Sequence, residues 1–260
     1  MNAAAILSIE NLIKRFGGLV ANGDISFAME EGELLAVIGP NGAGKTTLFN
    51  IISGFFAPDA GLVCFDGRDI TGMKQHVIAM RGLVRTYQLA QPFRALTVRE
   101  NVHVGFHIRT RGGPFAAILR PRWLREQEAE IRVKAQELLD FVGLSVQADA
   151  RADELSYGQQ RLLELARALA CAPKLLLLDE PAAGLAAHET VALAATIRRI
   201  NARGIGVLLI EHDMGLVMDI AARIVVLDFG RMIAVGTPDA VKAHPDVVAA
   251  YLGGTEFADA

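Results

Sequence analysis

Residues 39–46 read Gly-Pro-Asn-Gly-Ala-Gly-Lys-Thr, a pattern typical of a phosphate-binding loop between a strand and a helix. An apolar strand is predicted over residues 33–38 and a helix over residues 45–53. The glycines let backbone N–H groups turn inward around phosphate oxygens, Lys45 reaches the β and γ phosphates, and the Thr46 hydroxyl binds Mg²⁺. The helix N-terminus adds a positive field. The candidate nucleotide contacts are therefore Gly39, Pro40, Asn41, Gly42, Ala43, Gly44, Lys45, Thr46 and Thr47.

A second apolar segment ends in two acidic residues. Residues 175–178 are four consecutive leucines, followed by Asp179 and Glu180. Asp179, at the end of a buried strand, can hold the water shell of Mg²⁺. Glu180 lies one residue further, on the γ-phosphate side, where it can orient or deprotonate an attacking water. Together with the loop at residues 39–46, this pair predicts a site that hydrolyses a nucleotide.

The pattern of apolar residues divides the chain into three kinds of segment. Residues 7–16 and 24–29 alternate apolar and polar residues, which predicts antiparallel strands. From residue 97 to about 143 the pattern is helical, with a loop or broken helix over residues 109–122. After residue 157 strands alternate with helices, which predicts a parallel sheet covered by helices. The helical stretch is therefore expected to be an insertion in an α/β body.

Composition and charge restrict the class of protein. Hydrophobic residues make up 52% of the 260 residues, enough for a sizeable core, and the formal net charge is −3. The apolar runs are strand-length, well short of the roughly 18 residues that a membrane span requires. The N-terminus lacks the pattern of a signal peptide. We therefore expect a cytoplasmic protein without a dedicated nucleic-acid surface, since such a surface requires a basic stripe.

Residues 155–160, Leu-Ser-Tyr-Gly-Gln-Gln, directly precede an amphipathic helix. Ser156 suits the N-cap of that helix, and Gly158 permits a close backbone approach. This segment lies shortly before the Asp179 strand, and at this point the chain resembles the ABC ATPase family, whose signature is of the LSGGQ type. Tyr157 replaces the first glycine of that signature. The resemblance implies that Ser156, Gly158 and Gln159 contact ATP bound to a second chain.

The resemblance covers nearly the whole chain and implies roles for further residues. Gln88 matches the glutamine that binds Mg²⁺ and senses the γ-phosphate, and His212 matches the switch histidine that contacts it. Phe16 matches the aromatic residue that stacks on adenine. Ala186 stands where many members have Asp in a loop that communicates across the dimer. The implied catalytic set is Lys45, Gln88, Glu180 and His212, and the implied metal set is Thr46, Gln88 and Asp179.

The implied fold is an α/β P-loop ATPase core with a mainly parallel sheet, an N-terminal antiparallel β subdomain and a helical insertion subdomain. One ABC ATPase domain would span residues 1–260. Residues 1–96 and 161–260 would form the RecA-like and β lobe, and residues 97–160 the helical lobe that carries the signature at its end. The implied cofactors are ATP and Mg²⁺.

Several short phrases resemble the ATPases of branched-chain amino acid importers. They are residues 15–18, 85–88, 155–160, 180–185, 210–214 and 251–253. Lipopolysaccharide-export and urea-import ATPases share several of them, so both remain alternatives. A non-transport ABC ATPase is disfavoured, because such proteins usually carry coiled-coil inserts, zinc-ligand cysteines or two cassettes in one chain.

The resemblance also implies partners. Two ATPase subunits, identical or different, would pair head to tail, attached to membrane permease subunits on the inner face of the membrane. A periplasmic or extracellular substrate-binding protein would take part indirectly, and no nucleic acid is expected. An apolar groove for the permease is predicted along residues 88–98, with Leu89, Phe93 and Leu96 in its lining.

Overall fold

The structure, a computed structural model, describes residues 5–86, 92–109 and 121–252 of the chain. The strands in these ranges are β1 (Ala5–Phe16), β2 (Leu19–Glu30), β3 (Leu34–Ile38), β4 (Ala60–Phe65), β5 (Arg68–Asp69), β6 (Leu83–Arg85), β7 (Leu175–Asp179), β8 (Gly206–Ile210), β9 (Arg223–Asp228) and β10 (Arg231–Gly236). The α-helices are α1 (Lys45–Ile52), α2 (Gln75–Met80), α3 (Val98–Phe106), α4 (Arg122–Val142), α5 (Tyr157–Ala170), α6 (Ala187–Asn201), α7 (Met214–Ile220), α8 (Pro238–Lys242) and α9 (Pro245–Leu252). Short 3₁₀ turns cover His107–Arg109, Ser145–Gln147 and Ala152–Glu154.

The strands form two sheets. The smaller is antiparallel, with the order β2-β1-β4-β5, and confirms the predicted N-terminal β subdomain. The larger has the order β10-β9-β3-β8-β7-β6 and is parallel except for β10, which runs antiparallel to β9. The predicted mainly parallel sheet is therefore confirmed, with an antiparallel edge that the sequence pattern did not reveal.

Burial explains why the central strands were predictable and why β10, β5 and α2 were not. Every residue of β3, β7 and β8 is buried, as expected for strands covered on both faces. β10 is only partly buried, and β5 and α2 span two and six residues, so none of them carries a clear periodic signal. Because β3 and β7 both pair with β8, the ends of these three strands meet at one edge of the sheet.

The chain divides into two compact units. The first comprises Met1–Gln88, Lys174–Gly184 and Thr190–Ala260, and the second comprises Leu89–Pro173 and Leu185–Glu189. The second unit therefore extends beyond the predicted limits of 97 and 160. A boundary at residue 160 would cut α5, which packs as one continuous helix against α3 and α4.

The second unit has a helical core of its own, with Val98, Val102, Leu139, Leu163 and Ala166 buried in it. Val98 was expected to be among the residues that line an apolar groove, but it is fully buried and belongs to this core. In the described ranges, no helix has both the length and the apolar character needed to cross a membrane.

Candidate functional site

The loop between β3 and α1 adopts a backbone that only glycine allows at two positions. Gly39 and Gly44 have φ values of 151° and 96°. A Cβ atom on Gly39 would lie 2.1 Å from the carbonyl oxygen of Leu227, and one on Gly44 would lie 2.2 Å from that of Ala21. The backbone therefore packs too closely on its neighbours for any side chain, which keeps the loop a narrow cradle of peptide groups.

The turn between β9 and β10 holds this loop from one side. The N–H of Gly230 donates to the carbonyl of Ala43 at 3.1 Å, and its own carbonyl accepts from the N–H of Gly23 at 2.7 Å. The sequence analysis did not single out this turn, because its bonds to the loop are made by the backbone and carry no residue-type signal.

Lys45 is the first residue of α1, and its side chain is folded over the loop. It is 8% exposed, and Nζ donates to the carbonyl oxygens of Gly39 and Pro40. Asn41, Gly42 and Thr46 are exposed on the same loop, and Thr47 is half-buried. The loop thus combines one ammonium group with backbone N–H groups and a helix N-terminus, as phosphate binding requires.

Asp179 and Glu180 stand where β7 ends. Asp179 is buried, and its Oδ2 accepts a hydrogen bond from Nη2 of Arg85 at 2.7 Å. Glu180 has a φ of 45°, which is uncommon for a residue other than glycine. Its N–H donates to the carbonyl of Ile210 at 2.9 Å, which ties the end of β7 to the end of β8. Strained backbone of this kind is frequent at functional sites.

His212 follows β8 by two residues and faces the same region as Glu180. Its Nδ1 lies 4.0 Å from Oε2 of Glu180, and its side chain is 61% exposed. Between β8 and His212 lies Glu211, which is 1% exposed. Burial raises the pKa of the Glu211 carboxyl, against the opposing effect of backbone hydrogen bonds from Ala182 and His212. Glu211 thus links the segment after β7 to the one after β8.

Part of the loop, Glu180 and His212 line one open cleft in the first unit, with a volume of about 1070 Å³, whereas Lys45, Thr46 and Asp179 are not among its lining residues. The loop, Glu180 and His212 contribute to one part of its wall, and the β9–β10 turn and α9 contribute to another. Its lining residues are Gly39, Pro40, Asn41, Ala43, Glu180, His212, Asp228, Phe229, Ile233, Asp246, Ala249, Ala250 and Tyr251. The participation of α9 was not predicted, since its sequence carries no recognisable chemistry.

Phe16 ends β1 and is 43% exposed, so it is not a core residue. Its ring packs edge to face on Phe56 with centroids 5.5 Å apart, and Nζ of Lys14 lies 5.5 Å from the ring centroid. An exposed ring of this kind can stack on a nucleobase.

The predicted helix start at Ser156 is confirmed in the second unit. The Ser156 hydroxyl accepts from the N–H of Gln159, and the Gln159 side-chain oxygen accepts from the N–H of Ser156, which is a capping box. The Tyr157 hydroxyl accepts from Nη2 of Arg161 at 2.8 Å. A Cβ on Gly158 would lie 2.4 Å from Oε1 of Glu189, so the Glu189 side chain would have to move to admit any other residue at this position.

The residues present suit a magnesium nucleotide. Any Cβ at Gly39 or Gly44 would collide with neighbouring backbone, so the loop keeps its exposed peptide groups. The Thr46 hydroxyl and Asp179 carboxylate are the hard oxygen donors that Mg²⁺ prefers when nucleotide phosphates supply other ligands. Gln88 and Leu89 lie outside the described residues. Arg85 and Glu211 were missed by the sequence analysis. Glu211 directly precedes His212 in the chain, which could have pointed to it, whereas only the pairing of β6 with β7 brings Arg85 to Asp179.

Comparison with known proteins agrees with this geometry. The family model for ABC transporters matches residues 23–183, and that for the branched-chain amino acid ATP-binding cassette transporter matches residues 231–256. The chain is 43% identical to the high-affinity branched-chain amino acid transport ATP-binding protein BraF of Pseudomonas aeruginosa, over 95% of this chain and 98% of BraF.

Two solved structures are also similar. The ADP conformation of MJ1267, an ATP-binding cassette of an ABC transporter, has a TM-score of 0.84 and 36% identity, over 96% of this chain and 100% of that one. The dimeric, post-hydrolysis state of the ATP-binding cassette MJ0796 bound to ADP and Pi has a TM-score of 0.74 and 25% identity, over 89% and 98%.

Proposed function

This chain belongs to the family of ABC transporter ATPases, and we propose that its ATP hydrolysis energises the import of branched-chain or related amino acids. The observation that carries the substrate class is the match of residues 231–256 to the branched-chain transporter family. These residues include α9, which lines the same cleft as Glu180 and His212. The near full-length similarity to BraF supports the same substrate class.

In this proposal, hydrolysis is carried out by groups of the first unit. Lys45 and the loop N–H groups offset the charge of the phosphates, which is the main task of a protein in phosphoryl transfer. Mg²⁺, held by Thr46, Asp179 and Gln88, would supply further positive charge when bound. The Glu180 carboxylate accepts the proton of the attacking water, and His212 contacts the γ-phosphate beside it. Phe16 stacks on the adenine.

Two chains complete each ATP site in this proposal. Ser156, Gly158 and Gln159 form the N-terminal turn of α5, and the partial positive charge of a helix N-terminus favours a phosphate. The second subunit presents this turn to ATP bound on the loop of the first. The dimeric structure of MJ0796, bound to ADP and Pi, supports such an arrangement for a similar cassette.

The dimer is attached to the membrane through permease subunits, on the inner face where ATP is supplied, and a substrate-binding protein delivers the amino acid to the permease.

The exposure of Phe93, which is 47%, supports a docking surface for the permease in the second unit. Its ring lies under Arg167, with the guanidinium carbon 4.9 Å from the ring centroid, and Leu96 is half-buried nearby in sequence.

Reconstitution tests this proposal directly. The chain would be combined in liposomes with the permease and binding protein whose genes neighbour its own, and uptake of labelled leucine, isoleucine and valine would be measured with and without ATP. We expect ATP-dependent uptake that stops when Glu180→Gln replaces the wild type. If urea or lipopolysaccharide moved across the membrane in an ATP-dependent manner and no amino acid was taken up, import of amino acids would be wrong and the corresponding alternative would be correct.

A further inference from the structure

Arg85 joins the two halves of the nucleotide site through its guanidinium group. It is the last residue of β6, next to β7 in the sheet, where it pairs with Leu177. Leu177 and Asp179 are two residues apart on β7, so both side chains project to the same face as Arg85. This register places the guanidinium beside the carboxylate, and Nη2 lies 2.7 Å from Oδ2 of Asp179 with each side chain only 8% exposed.

The other terminal nitrogen of Arg85 binds the helix that follows the phosphate loop. Nη1 donates to Oδ1 of Asn50 and to Oγ of Ser53, both at 2.8 Å. These acceptors lie at the carboxyl end of α1, where the partial negative charge of a helix favours a cation. The guanidinium carbon also lies 5.9 Å from the ring centroid of Phe49. One side chain therefore connects α1, which Lys45 begins, to the carboxylate at the end of β7.

We infer that Arg85 is a positioning residue for the metal: it holds Asp179 by Oδ2 and so presents the carboxylate in one orientation to Mg²⁺. The inference rests on the proposed function, in which Asp179 serves the metal. Partners that bind the far side of a metal-binding group fix its direction, and their loss typically weakens metal affinity by about 10–100-fold. A planar guanidinium suits this task because it binds a carboxylate and two further acceptors at fixed angles.

Two effects of opposite sign compete when Arg85 is removed. Loss of a nearby positive charge would favour Mg²⁺, whereas loss of the orienting bond leaves a buried carboxylate without that partner and weakens metal binding. Three hydrogen bonds at 2.7–2.8 Å hold the Arg85 guanidinium, and with it the Asp179 carboxylate, in one orientation. We expect the loss of this orientation to outweigh the loss of the positive charge.

The test measures how strongly Mg²⁺ improves nucleotide binding. A fluorescent ATP analogue is titrated into the purified chain in EDTA and in saturating Mg²⁺, and the ratio of the two dissociation constants is the magnesium gain. We expect Arg85→Met to reduce this gain about tenfold, while binding in EDTA stays within about twofold of wild type. Arg85→Lys keeps the charge but cannot span all three acceptors, and we expect an intermediate gain.

Matched variants separate positioning from a general structural role. Arg223 begins β9 in the same sheet and pairs with Glu33, Nε to Oε1 at 2.9 Å, so Arg223→Met removes a more exposed ion pair of the same sheet away from Asp179. It is expected to leave the magnesium gain unchanged. If the Arg85 variants do not fold, Asn50→Ala removes one anchor of the guanidinium and is expected to lower the gain several-fold.

The outcomes are distinguishable. A folded Arg85→Met protein with an unchanged or increased magnesium gain overturns the inference, as does an unchanged gain for Asn50→Ala when neither Arg85 variant folds. The Asp179→Asn variant shows whether the positioning role of Arg85 or the metal role of Asp179 is wrong. If it abolishes the gain and Arg85→Met does not, only the positioning role is wrong. If Asp179→Asn also leaves the gain intact, the metal role of Asp179 in the proposed function is wrong.

Discussion

Oε2 of Glu180 lies 4.0 Å from Nδ1 of His212, although the two residues follow different strands. The pairing of β7 with β8 brings them together, and the hydrogen bond from the Glu180 N–H to the carbonyl of Ile210 holds the backbone of Glu180 against the end of β8. The separation is longer than a direct hydrogen bond, so each side chain can serve the phosphate region separately.

Replacing Glu180 by Gln tests the role of its carboxylate. The amide cannot accept the proton of the attacking water, so we expect ATP turnover to fall by about 10²–10⁴-fold while ATP binding is retained. Turnover is measured by phosphate release and binding by a fluorescent analogue, with dimerisation in Mg-ATP followed by size-exclusion chromatography. Glu10→Gln, at an exposed position of β1, serves as the control. A normal turnover rate in the Glu180→Gln protein would exclude this role.

Lys45→Ala tests the loop itself. Removing the ammonium group that faces the β and γ phosphates is expected to reduce ATP hydrolysis by at least about 10²-fold, through loss of nucleotide affinity or of turnover. The control is Lys174→Ala, because Lys174 makes an exposed ion pair with Asp66 away from the loop. Unchanged binding and hydrolysis in Lys45→Ala would show that this loop is not the active phosphate site.

Glu211 predicts a specific pH dependence of stability. Burial raises its pKa above the ordinary value of 4.5, so between that value and the raised pKa the folded state binds more protons than the unfolded state. The free energy of unfolding contributed by this group therefore falls as the pH rises through that window. Glu211→Gln should remove the contribution of this group to the slope, measured by urea denaturation at pH values above 4.5. The exposed variant Glu10→Gln should keep it, and identical slopes in all three proteins would contradict the prediction.

The capping box at the start of α6 is only half formed, because Ala186 precedes the first residue of this helix. Its N–H donates to Oε2 of Glu189 at 3.1 Å, but its methyl group cannot accept a bond from the start of α6. Ala186→Ser would supply that acceptor and should raise the free energy of unfolding by about 1 kcal/mol. Ala195→Ser, at an exposed position inside α6, should give no gain. Thermal and urea denaturation would measure both, and equal effects would contradict a capping role.

Phe93→Asp tests the docking surface for the permease. The ring is 47% exposed, so its replacement should weaken co-purification with the permease and leave ATP binding by the isolated chain nearly unchanged. Val146→Asp changes another exposed apolar residue of the second unit and should leave assembly intact. Normal assembly of Phe93→Asp would contradict the docking model, and loss of both assembly and ATP binding would mean that the ring supports the fold.

The central strands and the glycine-dependent backbone of the loop at residues 39–46 were predictable because their signals are local. Gly39, Gly44 and Lys45 stand at fixed spacings within one turn, and the leucines before Asp179 must form a buried strand. The helix start at Ser156 was equally local, because both halves of its capping box lie within four residues. Gln88, by contrast, rested on resemblance alone and remains a prediction.

The sequence by itself therefore determined which groups are candidates to bind a nucleotide and hydrolyse it. Only the tertiary structure decided what surrounds those groups. Arg85 reaches Asp179, and Gly230 reaches the loop, because strands distant in the chain are neighbours in the sheet. Such contacts depend on which distant strands become neighbours in the sheet, and the spacing of residues within one segment does not specify that order.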